Sequence, residues 1–118
     1  MNHYETLFIL KPTLTEEEIA KEIEATKNSI TEQGGEIAAT NVMGMRKLAY
    51  EINKNERGYY TVIYYKAPGS AIAEIERKLR YNENVLKFFT VKYSNKKEIK
   101  EFERQVANCN KEEASSEA

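Results

Sequence analysis

The segment Arg57-Gly58-Tyr59-Tyr60-Thr61-Val62-Ile63-Tyr64-Tyr65-Lys66 is a dense run of β-branched and aromatic residues. Such side chains favour extended backbone because they pack well on a pleated sheet. Residues 59–66 are therefore predicted to form a strand. The polar stretch before it, residues 53–58, predicts a hairpin loop that joins this strand to an earlier extended segment, about residues 36–52.

Two helical patterns and two further strands flank this hairpin. Thr15 stands three residues before Glu18, which is the spacing of a capping box, and Gly34-Gly35 ends the helix that follows. A second helical face comes after Pro68 and consists of Ile72, Ile75 and Leu79. Residues 3–10 and 85–93 are predicted to be strands. The order βαββαβ predicts an α+β, ferredoxin-like fold, with a four-stranded antiparallel sheet and two helices on one face.

The composition changes near residue 94. Leu, Ile, Val and Phe are frequent before it, whereas the last part of the chain has only Ile99, Phe102 and Val106 of these types. We expect one domain over residues 1–93 and a C-terminal tail over 94–118. The spacing of the three apolar residues predicts a short amphipathic helix, and the acidic end is expected to be disordered.

One face of the predicted sheet is left open by the two helices. The face that carries Glu5, Lys11 and Lys66 is assigned to solvent, because unpaired charges are rarely buried. That assignment leaves five apolar residues on the open face of the central strands: Leu7, Ile9, Tyr60, Val62 and Tyr64. A contiguous patch of this kind indicates a protein partner. The alternatives are ordinary scattered surface apolar residues, or a C-terminal helix that folds back over the patch.

The net charge of −1 is a cancellation between segments. Residues 1–40 carry −5, residues 41–100 carry +7 and residues 101–118 carry −3. A neutral total therefore does not exclude RNA. The basic residues predicted on strands and at the hairpin are the candidates for phosphate contact: Arg46, Lys47, Lys54, Arg57, Lys87 and Lys92. Arg77, Lys78 and Arg80 are assigned to a solvated helix face.

No catalytic or metal-binding pattern is found in the sequence. His3 is the single histidine, Cys109 is the single cysteine, and Asp is absent. The glycines form no phosphate-binding or dinucleotide-binding motif. We therefore expect a protein that is not an enzyme and holds no metal or cofactor. No apolar run approaches the roughly 18 residues of a membrane span. The opening residues lack a signal-peptide pattern, so we expect no membrane association and a cytoplasmic location.

Residues 57–64 partly match the first ribonucleoprotein signature of an RNA-recognition motif. The match fails at Tyr60, where a small residue is expected, and at Thr61, where an aromatic ring would stack on a base. Strand alternation also turns Phe8 and Tyr59 toward the helices. An independent reader of single-stranded RNA is therefore disfavoured. It would require those two rings on the open face.

Several segments together resemble the bacterial small-subunit ribosomal protein six family. These segments are Tyr4-Glu5, Ile9-Leu10-Lys11-Pro12, Gly44-Met45-Arg46-Lys47-Leu48-Ala49-Tyr50-Glu51-Ile52, Gly58-Tyr59, Asn84-Val85-Leu86-Lys87 and Val91-Lys92. The resemblance covers residues 1 to about 93, in the family's order and spacing. The basic positions that match the family are Arg46, Lys47, Lys87 and Lys92.

The resemblance implies a structural constituent of the small ribosomal subunit. Members of that family pair with small-subunit ribosomal protein eighteen, and the pair binds the central domain of small-subunit ribosomal RNA during assembly. A different class of function stays open on the residues: a small regulatory ferredoxin-like domain that self-associates through its sheet or binds a metabolite.

Overall fold

The structure is a computed structural model that describes residues 2–52 and 54–117, with side chains described as far as Cys109. Its elements are β1 (Asn2–Leu10), α1 (Glu16–Glu32), β2 (Glu36–Ile52), β3 (Asn55–Ala67), α2 (Ala71–Tyr81), β4 (Val85–Tyr93) and α3 (Lys96–Glu117). The four strands form one antiparallel sheet in the order β2-β3-β1-β4. The predicted ferredoxin-like topology is confirmed.

The main core lies between the sheet and the pair α1 and α2. Phe8 and Leu10 of β1 and Ile63 of β3 are completely buried there. Ile30 of α1 and Ile75 of α2 pack against them from the helix side. Each fully buried side chain of this size stabilises the fold by about 1.5–3 kcal/mol. This helix-side core contains the odd-numbered residues of β3 and the even-numbered residues of β1, as strand alternation predicts.

The ends of α1 follow the local sequence. The Thr15 side chain accepts a hydrogen bond from the Glu18 amide at 3.2 Å, and the Glu18 carboxylate accepts one from the Thr15 amide at 3.2 Å. The predicted capping box is therefore confirmed. At the other end Gly34 takes φ +85°, a conformation that side chains with a Cβ rarely adopt.

The β2–β3 hairpin is tighter than predicted. Strand β3 begins at Asn55, so the predicted six-residue loop is wrong and most of it belongs to the ladder. Arg46 pairs with Gly58, and Lys47 pairs with Arg57. Lys54 makes the reversal with φ 67°. Asn53 lies outside the described residues.

Helix α3 is longer than the short helix that was predicted for the tail, because it runs from Lys96 to Glu117. Asn95 precedes it, and the Asn95 side chain accepts a hydrogen bond from the Glu98 amide at 2.8 Å. The expected disorder concerns residues 111–118, whose side chains lie outside the described residues. That expectation, and the domain boundary at residue 93, stay predictions.

Candidate protein and nucleic-acid interface

The five predicted partner residues share one face of the sheet, opposite α1 and α2. The strand register pairs Ile9 with Tyr60 and Leu7 with Val62. Opposite residues in an antiparallel ladder point to the same side. Tyr64 follows Tyr60 and Val62 at a spacing of two, so it lies on this side as well.

Helix α3 covers one end of this face, which corrects the prediction that the whole face is open. Val62 and Tyr64 are each 5% exposed because Phe102 and Cys109 of α3 pack on them, next to Ala39. We call this group the α3 cluster: Ala39, Val62, Tyr64, Phe102 and Cys109. The C-terminal helix folds back over the sheet, which was one of the alternatives left open by the sequence.

Aromatic rings surround Phe102 in the α3 cluster. Its ring centroid lies 5.0 Å from that of His3, 5.3 Å from that of Tyr93 and 5.9 Å from that of Tyr64, all edge to face. Such geometry is favourable for aromatic rings, since the positive edge of one meets the negative face of another. Phe102 is therefore the anchor that holds α3 on the sheet.

A carboxylate lies at the border of the α3 cluster. The Tyr93 hydroxyl donates a hydrogen bond to Glu5 at 2.7 Å. Burial, followed by the proximity of the Glu5 charge, raises the pKa of the Tyr64 hydroxyl well above its ordinary value. Burial and the hydrogen bond to Glu5 raise the pKa of Tyr93 in the same direction. Both hydroxyls therefore stay protonated to a higher pH than the hydroxyl of an ordinary tyrosine.

The other end of the face is covered differently, by the end of β2. Gly58 leaves room there for two apolar side chains, because a Cβ on Gly58 would come 2.3 Å from Ile9 Cγ2 and 3.4 Å from Leu48 Cδ2. Ile9 is thereby 4% exposed and Leu48 7% exposed. What remains accessible is a shallow depression between Leu7, Tyr60 and Phe89.

Lys87 and two aromatic rings form the rim of this depression. The Lys87 ammonium lies 4.9 Å from the centroid of the Tyr50 ring and 4.8 Å from that of Phe89, and it donates a hydrogen bond to the Tyr50 hydroxyl. Tyr50 is 60% exposed and Phe89 is 48% exposed. A cation held between two accessible rings can contact phosphate while the rings offer stacking surfaces.

Tyr50 and Phe89 were not among the predicted site residues. A signal for both exists in the sequence, since Phe89 is two residues from Lys87 on one strand, and Tyr50 is two residues from Leu48 on another. No pattern among neighbouring residues in the sequence indicates that Tyr50 and Phe89 come together across the sheet.

The six predicted RNA-contacting residues do not form one patch. Arg46, opposite Gly58, lies on the same face as Lys87, whereas Lys47 and Arg57 are opposite each other on the helix side of the hairpin. Lys92 is opposite Tyr4, which also faces the helices. Lys54 is at the hairpin turn. The predicted basic residues on the strands are therefore divided between the two sides of the sheet.

The basic residues of α2 have acidic neighbours. Arg77 forms an ion pair with Glu74 at 2.5 Å, and Lys78 lies 3.4 Å from Glu32. The hydrogen bond between Arg77 and Glu74 lowers the pKa of the Glu74 carboxyl and raises the pKa of Arg77. These contacts agree with a solvated helix face.

The described residues show no cluster of three or more His, Cys, Asp or Glu side chains that could hold a metal ion. None of the helices in the described part of the chain is both long enough and apolar enough to cross a membrane. Phe8 and Tyr59 contact the helix-side core. An independent base-stacking site on those two rings is therefore not formed.

Comparison with known sequences identifies the family. The family model for ribosomal protein S6 matches residues 3–92, which is the ferredoxin-like part of the chain. The chain belongs to the ribosomal protein S6 family. The family resemblance seen in the sequence is thereby confirmed, as is the prediction that the chain is not an enzyme.

The sequence similarity to relatives in this family extends over nearly the whole chain. Small ribosomal subunit protein bS6 of Sulfurovum sp. is 60% identical over 111 residues, which cover 94% of this chain and 87% of the relative. The protein of the same name from Campylobacter curvus is 57% identical over 104 residues, covering 88% of this chain and 73% of the relative.

The fold also matches a solved structure of the family. The crystal structure of 30S ribosomal protein S6 from Thermotoga maritima has a TM-score of 0.78 and is 34% identical. The match covers 90% of this chain and 97% of that chain.

Proposed function

We propose that the chain is a structural constituent of the small ribosomal subunit in the cytoplasm, and that it binds the central domain of small-subunit ribosomal RNA together with small-subunit ribosomal protein eighteen. The observation that carries the proposal is the 60% identity, over 94% of the chain, to a protein named small ribosomal subunit protein bS6.

The surface chemistry supports contact with RNA. Lys87 sits between two exposed rings on the open face, and Arg46 lies on the same side of the sheet. Lysine and arginine neutralise phosphates and release counterions, which supplies affinity that depends on salt. Rings beside the cation stack on unpaired bases.

The same surface supports contact with a protein. Leu7, Tyr60 and Phe89 line an accessible apolar depression on this face of the sheet. Of the five predicted partner residues, Leu7 and Tyr60 remain partly accessible, whereas Ile9, Val62 and Tyr64 are buried within the chain itself. The accessible part of the predicted partner surface is therefore the end that contains Leu7 and Tyr60.

The charge balance explains why a partner is needed. The chain carries a net charge of −1, and its basic residues are divided between two sides of the sheet. Each phosphate contact contributes to affinity through counterion release, so few contacts give weak binding. A basic partner supplies the missing phosphate contacts. The heterodimer therefore binds RNA more tightly than either chain does.

A titration of the central-domain RNA tests this proposal. We expect weak binding by the isolated chain and at least tenfold tighter binding when ribosomal protein eighteen is present. A control titration contains ribosomal protein eighteen without the chain. It distinguishes joint RNA binding from RNA binding by the partner alone. Equal RNA affinity with and without the partner contradicts joint binding.

Sedimentation of the isolated chain tests the remaining alternative. A monomer agrees with a sheet surface that binds a different protein and not a second copy of the chain. A stable homodimer instead favours the regulatory domain that self-associates through its sheet.

A further inference from the structure

We infer that the sheet surface under α3 is a binding surface for an amphipathic helix of the protein partner, and that α3 is an internal occupant which this helix displaces. The inference rests on the proposed function for the identity of the partner, ribosomal protein eighteen. It assigns α3 a role in regulating that association.

The surface has the form of a receptor for one aromatic side chain. His3, Tyr64 and Tyr93 surround Phe102 on three sides, at centroid distances of 5.0, 5.9 and 5.3 Å. Phe102 is 2% exposed in this position. An aromatic side chain that fills a well-packed, desolvated pocket is a frequent centre of a protein–protein contact.

Helix α3 shows which occupant the surface accepts. Phe102, Val106 and Cys109 are spaced by four and three residues, which places them on one side of a helix. All three contact the α3 cluster or belong to it, while Glu103 and Arg104 between them are exposed. A helix with an aromatic anchor and small apolar residues at the next two turns therefore fits, as in helix-in-groove recognition.

Within residues 96–109, where the side chains are described, few side chains of α3 are buried. Among residues 96–109, Phe102 and Cys109 are the buried side chains. The ion pair between Arg104 and Glu101 and the cap at Asn95 are both internal to this segment. Neither interaction joins this segment to the sheet, so in the described part of α3 displacement breaks mainly the contacts of the α3 cluster.

The covered and open parts of the face are continuous. Leu7 packs against the α3 cluster and also lines the accessible depression. A partner helix that takes the place of α3 can therefore extend into the depression beyond it. It buries apolar surface that α3 leaves in water, and this difference in buried area drives the exchange.

Occupancy by α3 reduces the apparent affinity for the partner. When a competent state makes up a fraction of the molecules, the apparent dissociation constant rises by the inverse of that fraction. A substitution that weakens the contact of α3 with the sheet must then strengthen partner binding, even though the substitution removes an apolar side chain. If α3 instead covers the surface permanently, the same substitution gives no gain in affinity for the partner.

Calorimetric titration of full-length variants with purified ribosomal protein eighteen tests the exchange. Phe102→Ala removes the anchor, and Glu103→Ala is the matched control because Glu103 is exposed on the same helix. We expect at least fivefold tighter binding by Phe102→Ala and a change of less than twofold in the control. Unchanged or weaker binding by Phe102→Ala overturns the inference. If the wild-type chain does not bind the partner, the proposed heterodimer fails as well.

Hydrogen exchange on the unmodified chain is a second measurement. We expect the amides of residues 98–109 to lose protection when the partner is added, because α3 leaves the sheet. Retained protection at saturating partner overturns displacement. Self-association of Phe102→Ala without a gain in partner affinity assigns the surface to a second copy of the chain and also overturns it.

Discussion

Lys87 and Tyr50 meet across the open face of the sheet, although they belong to the two opposite edge strands. The Lys87 ammonium donates a hydrogen bond to the Tyr50 hydroxyl and lies 4.9 Å from the centre of its ring. Two strands, β3 and β1, separate them in the sheet order. The end of β2 therefore bends over the face, and it encloses the apolar depression on one side.

The position of Lys87 predicts a specific effect on RNA binding. Lys87→Gln should weaken binding of the central-domain RNA by the heterodimer and lower the slope of log affinity against log salt by about 1, as expected for one lost phosphate contact. Arg77→Gln is the charge-matched control, because Arg77 is paired with Glu74 on α2. An equal change of slope in both variants would show that net charge, and not position, matters.

Close contact between Gly58 and Ile9 predicts a strong effect of a single methyl group. A Cβ at Gly58 would lie 2.3 Å from Ile9 Cγ2, so Gly58→Ala should lower the free energy of unfolding by about 1–3 kcal/mol. The control is Gly69→Ala, whose Cβ would come no closer than 3.4 Å to Asn2. Urea denaturation measures both. Similar midpoints for the two variants would refute the packing argument.

The capping box of α1 predicts a smaller effect. Thr15→Ala removes the acceptor for the Glu18 amide and should cost about 1 kcal/mol of unfolding free energy. Thr13→Ala is a suitable control because Thr13 is exposed and precedes the helix. Urea denaturation should show a lower midpoint for Thr15→Ala alone. A midpoint equal to that of the control would mean that the cap contributes little.

Tyr65 predicts a loss of stability at alkaline pH. Burial raises the pKa of Tyr65 to about 12, against an ordinary value of 10.0, and the hydrogen bond with Thr6 opposes this rise. The unfolded chain therefore loses this proton first, and unfolding becomes more favourable as the pH rises from about 10 to about 12. The stability is fully present below pH 10.

Alkaline denaturation of Tyr65→Phe measures that contribution. The variant should lose stability less steeply between pH 10 and 12, because one titrating hydroxyl is absent. Tyr64 and Tyr93 have raised pKa values as well, so part of the slope should remain. Tyr81→Phe is the control, since Tyr81 is 73% exposed. A slope equal to that of the wild-type chain would contradict the assignment to Tyr65.

Local patterns in the sequence were sufficient for the sheet and its two principal helices. Alternation along β1 and β3 placed Phe8 on the helix side and Tyr60 on the other side, and both placements agree with the register. The cap at Thr15 also follows from neighbours in the sequence. These features depend on residues a few positions apart, whose geometry the backbone period determines.

The division of the basic residues was partly accessible from the same alternation. Lys87 and Lys92 differ by five positions on one strand, which places them on opposite sides. The hairpin was harder to assign, because β3 begins four residues earlier than the aromatic run suggests, and the register shifts after Lys47. Those details depend on cross-strand pairing.

The sequence by itself determined the family, the strand order and the two sides of the sheet. Only the tertiary structure decided that α3 covers Val62 and Tyr64, and that Tyr50 reaches Lys87. The three apolar residues read in the tail make one side of a helix, but they do not specify the surface on which it docks. Docking and the bend of β2 depend on the shape of surfaces formed by residues far apart in the chain, and no local period encodes that complementarity.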